Sequence, residues 1–350
     1  MNPDLSWLIF GAGAIGTYIG GSLALHRQPG GPGHQVVLLE KPEVAAEIQE
    51  RGLCLNLDGQ EHAVSGVHIA GSIEDALSLG PFDVAVFALK SFDTRAALER
   101  LSATTAQLPP FLCLQNGVEN EAVLEAVLGD ERVIAGTVTS AVGRRHAGDI
   151  VLERKRGVGV AAGHPLSEAV CAALQEAGLN AQLFENAAAM KWSKLLTNLV
   201  ANATSAILNM TPAEVFDHPG LYRLELAQQR EALQVMRALG IPVVDLPGTP
   251  VTLLAAGVRY LPALLSQPLL KRSVMRGRGG KMPSFHIDLY AGRGQSEVDY
   301  LNGAVVRLGE TLQVPTPTNH LLRDTLLKLT TGELPRDHFD HQPDKLLKMI

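Results

Sequence analysis

The stretch from Trp7 to His26, WLIFGAGAIGTYIGGSLALH, decides the fold. WLIF at 7–10 is a short apolar run, GAGAIG follows at 11–16, and TYIGGSLALH after it has the composition and spacing of a helix. Gly11, Gly13 and Gly16 therefore fill a G-x-G-x-x-G pattern between a strand and a helix. In that setting the first glycine permits a tight turn, the second lets backbone approach a pyrophosphate, and the third lets helix and strand pack closely. The helix N-terminus, with Ala14 and Ile15 inside the turn, offers unpaired N–H groups to the anion. In a chain with 34 glycines the same spacing also describes a plain tight turn. The strand before it and the helix after it favour a dinucleotide site.

The next strand is HQVVLLEK at 34–41, reached through a Gly/Pro-rich connection, HRQPGGPG. Its C-terminal end should meet an adenosine ribose. Glu40 would accept hydrogen bonds from a ribose 2′-OH and favour NAD, whereas Lys41 could neutralise a 2′-phosphate and favour NADP. The two cues conflict, and both residues could simply be solvated. Further apolar runs, DVAVFALK (83–90), FLCLQNG (111–117) and VIAGTV (133–138), alternate with helix-like segments such as SFDTRAALERLSATTAQ. That alternation predicts a parallel sheet with helices on both faces. Ligands of such sheets sit beyond the C-terminal strand ends, where Lys90 and Asn116 stand. A surface lysine and an Asn-Gly turn are the plainer readings of those two. GDIVLERKRGVGVAAG (148–163) reads as a β-hairpin or strand pair closing the domain, and NAQLFEN (180–186) as a last short strand.

From 187 the pattern becomes helical, so the chain is divided into a dinucleotide-binding domain at 1–186 and a helical substrate domain at 187–350. In KWSKLLTNLVANATSAI (191–207), Lys194, Asn198 and Asn202 are spaced i, i+4, i+8, a single row on one helix face. Trp192, Leu195, Leu196, Leu199 and Ala203 form a buried stripe beside it. Amide and ammonium groups so close to an apolar stripe either face water or line a cleft. The segment 218–240 is helical by periodicity and stops at Gly240, before Ile241 and Pro242. VTLLAAGVRYLPALL and EVDYLNGAVVRLGETL also read as helices. The basic stretch KRSVMRGRGGK (271–281) is either a solvated loop or an attractor of anions. His338 and His341 in DHFDH lack a third ligand cluster, so no metal is expected.

Composition bounds the rest. A 350-residue chain suits about two domains, and 46% hydrophobic with 19% charged residues is the make-up of a soluble globular protein. A net charge of −6 argues against a nucleic-acid footprint. Cys54, Cys113 and Cys171 are dispersed and odd in number, which fits a reducing cytoplasm and neither a disulfide framework nor a zinc site. No basic leader precedes the first strand and no apolar run reaches membrane length, so the chain is expected to be mature, soluble and free of the membrane.

Taken together, GAGAIG, LKSFDT around Lys90, QNGVEN around Asn116, KWSKLLTNLVAN around Lys194 and GQSEVDYLNG around Glu297 occur in the order and rough spacing of the ketopantoate reductase family. The chain resembles that family from about residue 7 to 320. The glycine fingerprint is common to many dehydrogenases; the Lys-x3-Asn-x3-Asn helix with the later S-E-V-D-Y-L-N-G is far more specific. The resemblance implies an α/β N-terminal Rossmann domain with a parallel sheet, an all-α C-terminal domain and an active site between them. It also implies reduction of ketopantoate to pantoate by NADPH, for pantothenate and coenzyme A synthesis. By motif, Lys194 is similar to the family's catalytic lysine, Asn198 and Asn202 to its substrate-binding partners, and Glu297 to the acid beside substrate and lysine. Lys90 and Asn116 match positions beside nicotinamide and substrate. Ser284 resembles the serine that meets the substrate carboxylate, although its spacing to Glu297 is about one residue long. Where the family commonly ends its second strand with an arginine, this chain has Glu40-Lys41, so NADH is also open.

Hydride delivery to a ketone leaves negative charge on oxygen, so a proton donor or fixed positive charge is needed there. Lys194, expected as a buried ammonium facing the nicotinamide, can be both. A free lysine near pKa 10.4 is a weak acid at pH 7; desolvation lowers that value, whereas an ionised Glu297 opposes the shift. Asn198 and Asn202 hold hydroxyl and carbonyl groups without adding charge. The expected partner is a small 2-keto acid, with a possible homodimer. A reductase of another 2-keto acid and a non-catalytic dinucleotide-binding sensor are the competing readings.

Overall fold

The computed structural model describes residues 4–26, 34–278 and 281–349. The Gly/Pro-rich connection at 27–33, and the side chains of 273–280 that make up most of the basic stretch, lie outside the described residues; the backbone of that stretch is helical as far as Arg278, which corrects its reading as a loop. The chain divides into two compact units, Met1–Lys191 with Leu246–Thr249, and Trp192–Asp245 with Pro250–Ile350. The division falls inside a helix, whereas the change of sequence pattern lies at 186/187.

The first unit runs in chain order through β1 (Ser6–Phe10), α1 (Ala14–Leu25), β2 (Gln35–Leu39), α2 (Pro42–Arg51), β3 (Leu53–Leu57), β4 (Gln60–Val64), β5 (Val67–Ala70), α3 (Ile73–Ser78), β6 (Val84–Phe87) and α4 (Thr94–Leu101). It continues with β7 (Phe111–Cys113), α5 (Asn120–Leu128), β8 (Val133–Val138), β9 (Ala141–His146), β10 (Asp149–Arg154), β11 (Val158–Ala161), α6 (Ser167–Glu176), β12 (Ala181–Phe184) and the start of α7 (Ala187–Leu199). Eight strands form one sheet in the order β12-β11-β8-β7-β6-β1-β2-β5. From β5 to β8 every pairing is parallel; β11 joins β8 antiparallel, and β12 joins β11 parallel.

The period of two along β1 explains why WLIF is apolar throughout. Trp7 and Ile9 enter one core with Tyr18, Ile19 and Leu23 of α1 and Val170 and Leu174 of α6. Leu8 and Phe10 enter the opposite core with Ala76 of α3, Leu98 of α4 and Leu124 of α5. Burying a side chain of this size contributes about 1.5–3 kcal/mol, and here both faces of the strand are used.

A second sheet, β4-β3-β10-β9, was not anticipated. Its Leu53, Leu55, Ile150 and Leu152 join the core on the α1 side. This sheet also corrects the reading of 148–163. β10 pairs with β9 and β3 in the second sheet, while β11 pairs with β8 and β12 in the first, so the two are not partners. The true hairpin is β9–β10, turned at Gly148 with φ +72°. Between β10 and β11 the Ser140 hydroxyl accepts the N–H groups of Arg156 and Gly157 at 3.0 and 3.1 Å, which lets the chain leave one sheet for the other.

The second unit holds the remainder of α7, then α8 (Asn202–Leu208), α9 (Pro212–Asp217), α10 (Pro219–Ala238), α11 (Val251–Tyr260), α12 (Ala263–Arg278), α13 (Ser284–Tyr290), α14 (Val298–Leu312), α15 (Pro317–Thr331) and α16 (Pro343–Leu347). The longest, α10, stops where Gly240 adopts φ +69° and Ile241 N–H returns to the Met236 carbonyl at 2.9 Å. Pro262 splits VTLLAAGVRYLPALL into α11 and α12, with Leu261 before it extended. A buried polar network ties α10 to α14 and α15. Asn302 donates to Gln228 and Asn319, Asn319 donates to Glu231, and the Glu231 carboxylate accepts the N–H groups of Thr318 and Asn319 at the start of α15. Among the described residues no helix is long and apolar enough to cross a membrane.

Candidate active site

The β1–α1 turn has the geometry its glycines require. Gly11 sits at φ +93°, which a side chain would oppose. A Cβ on Gly16 would stand 1.8 Å from the Gly11 carbonyl oxygen, so only glycine fits there. The cap residue Gly13 supplies no side chain to the helix, and no acidic residue occupies the first turn of α1. The half-buried positions Gly13, Ala14 and Ile15 thus present helix-terminal N–H groups and positive dipole to an anion. The turn fits a pyrophosphate.

Beside it, Glu40 follows the last residue of β2. Its Oε2 accepts the Ala12 N–H at 2.8 Å and its Oε1 accepts the Lys41 N–H at 3.0 Å. The carboxylate is therefore fixed against the glycine turn. Lys41 is exposed at the cap of α2, where Pro42 begins the helix.

Lys90 and Asn116 are half-buried just beyond β6 and β7, at the same sheet edge as Gly11 and Glu40 because β2, β1, β6 and β7 are adjacent and parallel. Their loops are laced together. The Gln115 amide donates to the Leu89 carbonyl (3.0 Å) and Thr94 hydroxyl (2.9 Å), while the Asn116 carbonyl accepts the Ser91 hydroxyl (3.1 Å) and the Asn120 amide (2.6 Å).

The sequence reading misses Lys191. It is 5% exposed, lies 2.7 Å from a Glu121 carboxylate oxygen, and donates to the carbonyls of Gln115 (2.7 Å) and Gly136 (3.2 Å). Burial disfavours its charge, but the Glu121 carboxylate outweighs burial and holds the ammonium above the ordinary lysine value. Its i, i+4 spacing to Leu195 places it on the apolar stripe, which is the signal that separates it from Lys194.

In the second unit, Lys194 and Asn198 are half-buried on α7, one turn apart. The expectation of a buried ammonium at 194 is corrected: the buried lysine of α7 is Lys191, and Lys194 keeps partial access to solvent. The single row Lys194–Asn198–Asn202 is corrected as well. α7 ends at Leu199 and α8 starts at Asn202, because Ala201 takes a left-handed conformation with φ +51°. That conformation costs an alanine about 1–2 kcal/mol. Asn202 is buried on the second helix, where its Oδ1 accepts the Phe285 N–H at 3.1 Å and its Nδ2 donates to the Ser284 hydroxyl at 3.4 Å. The two predicted substrate residues Asn202 and Ser284 thus meet, with Ser284 exposed as the first residue of α13. Glu297 is 3% exposed at the cap of α14. In the DHFDH stretch, His341 pairs with Asp340 at 2.7 Å, and among the described residues no group of three His, Cys, Asp or Glu side chains could hold a metal ion.

The family model described as ketopantoate reductase PanE/ApbA matches residues 7–163, and that for its C-terminal part matches residues 186–329. A 2-dehydropantoate 2-reductase of Archaeoglobus fulgidus is 27% identical over 329 residues, covering 93% of this chain and 96% of the relative. The crystal structure of a PanE/ApbA family ketopantoate reductase from Ralstonia eutropha JMP134 is 26% identical, with a TM-score of 0.77 over 95% of this chain and 100% of that one. D-mandelate dehydrogenase, solved with NADH and anilino(oxo)acetate, shares the fold at a TM-score of 0.74 and 22% identity, over 94% of this chain and 99% of that one. With both of its parts matched, the chain belongs to the ketopantoate reductase family.

Proposed function

We propose that this protein is an oxidoreductase that reduces the ketone of 2-dehydropantoate (ketopantoate) to pantoate, with residues 1–186 holding a nicotinamide dinucleotide and 187–350 supplying the substrate side chains. The observation that carries this reading is the match of the family models to both parts of the chain, over residues that include the glycine turn and Lys194. The name shared by the relatives supports the substrate. The role in pantothenate and coenzyme A synthesis and a cytoplasmic location follow from the same reading.

The bound dinucleotide supplies the hydride. Gly11, Gly13, Ala14, Ile15 and Gly16 would seat its pyrophosphate by backbone contact, with open space at Gly13 where a Cβ would otherwise stand. Lys90 and Asn116 border the nicotinamide end from the laced loops beyond β6 and β7. Lys194 Nζ gives a proton to the ketone oxygen, which becomes the hydroxyl oxygen of pantoate, and the lysine regains that proton from solvent through its half-exposed side. Asn198 and Asn202 orient the substrate with neutral donors and acceptors. Ser284 meets the substrate carboxylate and Glu297 orients the ammonium.

For the dinucleotide, the resemblance implies NADPH, with Lys41 at the 2′-phosphate. One observation supports NADH instead: the Glu40 carboxylate, pinned by Ala12 and Lys41 N–H groups, occupies the place where a ribose 2′-OH would be accepted. A doubly charged 2′-phosphate placed beside that carboxylate would meet a like charge and be disfavoured. Absorbance at 340 nm, followed with ketopantoate and each dinucleotide in turn, tests both levels. Oxidation of either one supports the reductase, and the ratio of kcat/KM values decides the cofactor. No oxidation of either removes the reading, and a panel of other 2-keto acids then decides whether a different substrate takes its place.

A further inference from the structure

Glu225 of α10 is buried and turned toward the junction of α7 and α8. Its Oε2 accepts the Ala201 N–H and the Gln228 amide, each at 2.7 Å, and its Oε1 accepts the Thr204 hydroxyl at 2.5 Å. Two neighbours on α10 complete the arrangement: Gln228 donates to the Leu199 carbonyl at 3.3 Å and Gln229 to the Leu196 carbonyl at 3.0 Å. These are backbone groups at the end of one helix and the entry to the next, which lose helical partners when the helix is interrupted. One helix thus supplies side chains that replace what continuous helix would have supplied to another.

The interruption is not explained by the residues at it. Val200 and Ala201 are neither glycine nor proline, and an unbroken α7 would need no outside carboxylate. Ala201 is nevertheless held left-handed and fully buried. Such a conformation persists only where the surroundings over-determine it, and strained residues of this kind cluster at functional sites. The break has one direct consequence for the substrate residues. It takes Asn202 off the face that carries Lys194 and Asn198 and sets it where it holds the Phe285 N–H and the Ser284 hydroxyl.

We infer that Glu225 is a positioning residue: its carboxylate holds the α7–α8 break and thereby sets the angle between the helix bearing Lys194 and Asn198 and the helix bearing Asn202. The inference rests on the reading of those three side chains as the substrate-contacting set. Glu225 itself touches no reacting atom; it acts through the Ala201 N–H and the Thr204 hydroxyl.

The test uses the full chain, with steady-state kinetics on 2-dehydropantoate, fluorescence titration of the dinucleotide, and circular dichroism for the folded fraction. Glu225→Leu is expected to lower kcat/KM for the keto acid ~10²-fold, with dinucleotide Kd within about twofold of wild type, because misplacement of substrate contacts by an ångström costs that much. Glu225→Gln should stay within about fivefold, since its carbonyl still accepts the Ala201 N–H and the Thr204 hydroxyl can turn to accept its amide. Adding Ala201→Gly to Glu225→Leu should recover roughly tenfold, as glycine holds positive φ unaided. A folded Glu225→Leu protein with kcat/KM within about twofold of wild type overturns the inference, and so does a loss that merely tracks the folded fraction. If Glu225→Leu does not fold, Thr204→Val decides: about a fivefold decrease at unchanged dinucleotide Kd supports the inference, and no decrease overturns it. Lys194→Ala and Asn198→Ala separate the two levels. Full turnover in both means the site assignment has failed and takes the inference with it; lost turnover in both beside an active Glu225→Leu removes the inference alone.

Discussion

The glycine turn of the first unit and the lysine–asparagine stretch of the second are both short and contiguous in sequence, yet they answer to different forces. At the turn, the constraint is steric and lies within six residues: a Cβ at Gly16 would collide with the Gly11 carbonyl, and Gly11 needs positive φ. In the second stretch, helical spacing puts Lys194, Asn198 and Asn202 in one row, and the row is broken by a carboxylate 24 residues away. Local sterics can be read from the residue letters. A tertiary hydrogen bond that overrides helix propensity can not, because Val-Ala-Asn at the break includes neither glycine nor proline.

Substitutions at the two sites test whether they answer to different forces. Lys194→Ala should have the largest effect, a loss of turnover of ~10² or more for removal of the proton donor, at nearly unchanged dinucleotide affinity. Single-turnover hydride transfer at saturating dinucleotide checks it, and normal transfer removes Lys194 from the mechanism. Gly16→Ala should reverse the pattern, weakening dinucleotide binding by on the order of 10²-fold through the backbone collision. Titration of each dinucleotide by fluorescence reads this directly. If affinity holds, the turn is a fold element and not a binding element.

Smaller effects probe the flanks. Glu40→Arg should move the preference from NADH toward NADPH by roughly tenfold, since it removes one like charge and adds an opposite one beside the 2′ position. An unchanged ratio of the two affinities would take Glu40 out of cofactor choice. Asn202→Ala leaves the buried Phe285 N–H without its acceptor and should cost about 1–2 kcal/mol of stability, read as a lower urea midpoint for the helical unit. A midpoint equal to wild type would show that the asparagine is not the anchor of α13.

Much of the first unit was legible because its forces are short-ranged and repetitive. Continuous apolar runs such as WLIF mark strands buried on both faces; in the second unit, Gly240 with Ile241-Pro242 likewise marks the end of α10. The second sheet escaped notice because β3 and β4, LCLNL and QEHAV, are short and mostly half-exposed, so their alternation is weak. The strand pair at 148–163 was misjudged for a related reason: strandedness is local, whereas the choice of partner strand is not. Lys191 escaped because a lysine is ordinarily a surface residue, and only its register with Leu195 tells otherwise. Glu225 shares the buried face of α10 with Gln228, Gln229 and Glu231, polar residues that sequence spacing alone assigns to solvent, and its partner at Ala201 has no side chain that asks for a carboxylate.

The surroundings of Lys191 bear on how much redundancy the chemistry has. At this position the ammonium donates to the Gln115 and Gly136 carbonyls and is ion-paired with the Glu121 carboxylate at 2.7 Å. Releasing a proton would leave Glu121 as an enclosed and uncompensated charge. The lysine three places before Lys194 is therefore no understudy for it: a chain deprived of the second lysine has no spare donor waiting one turn back on the same helix.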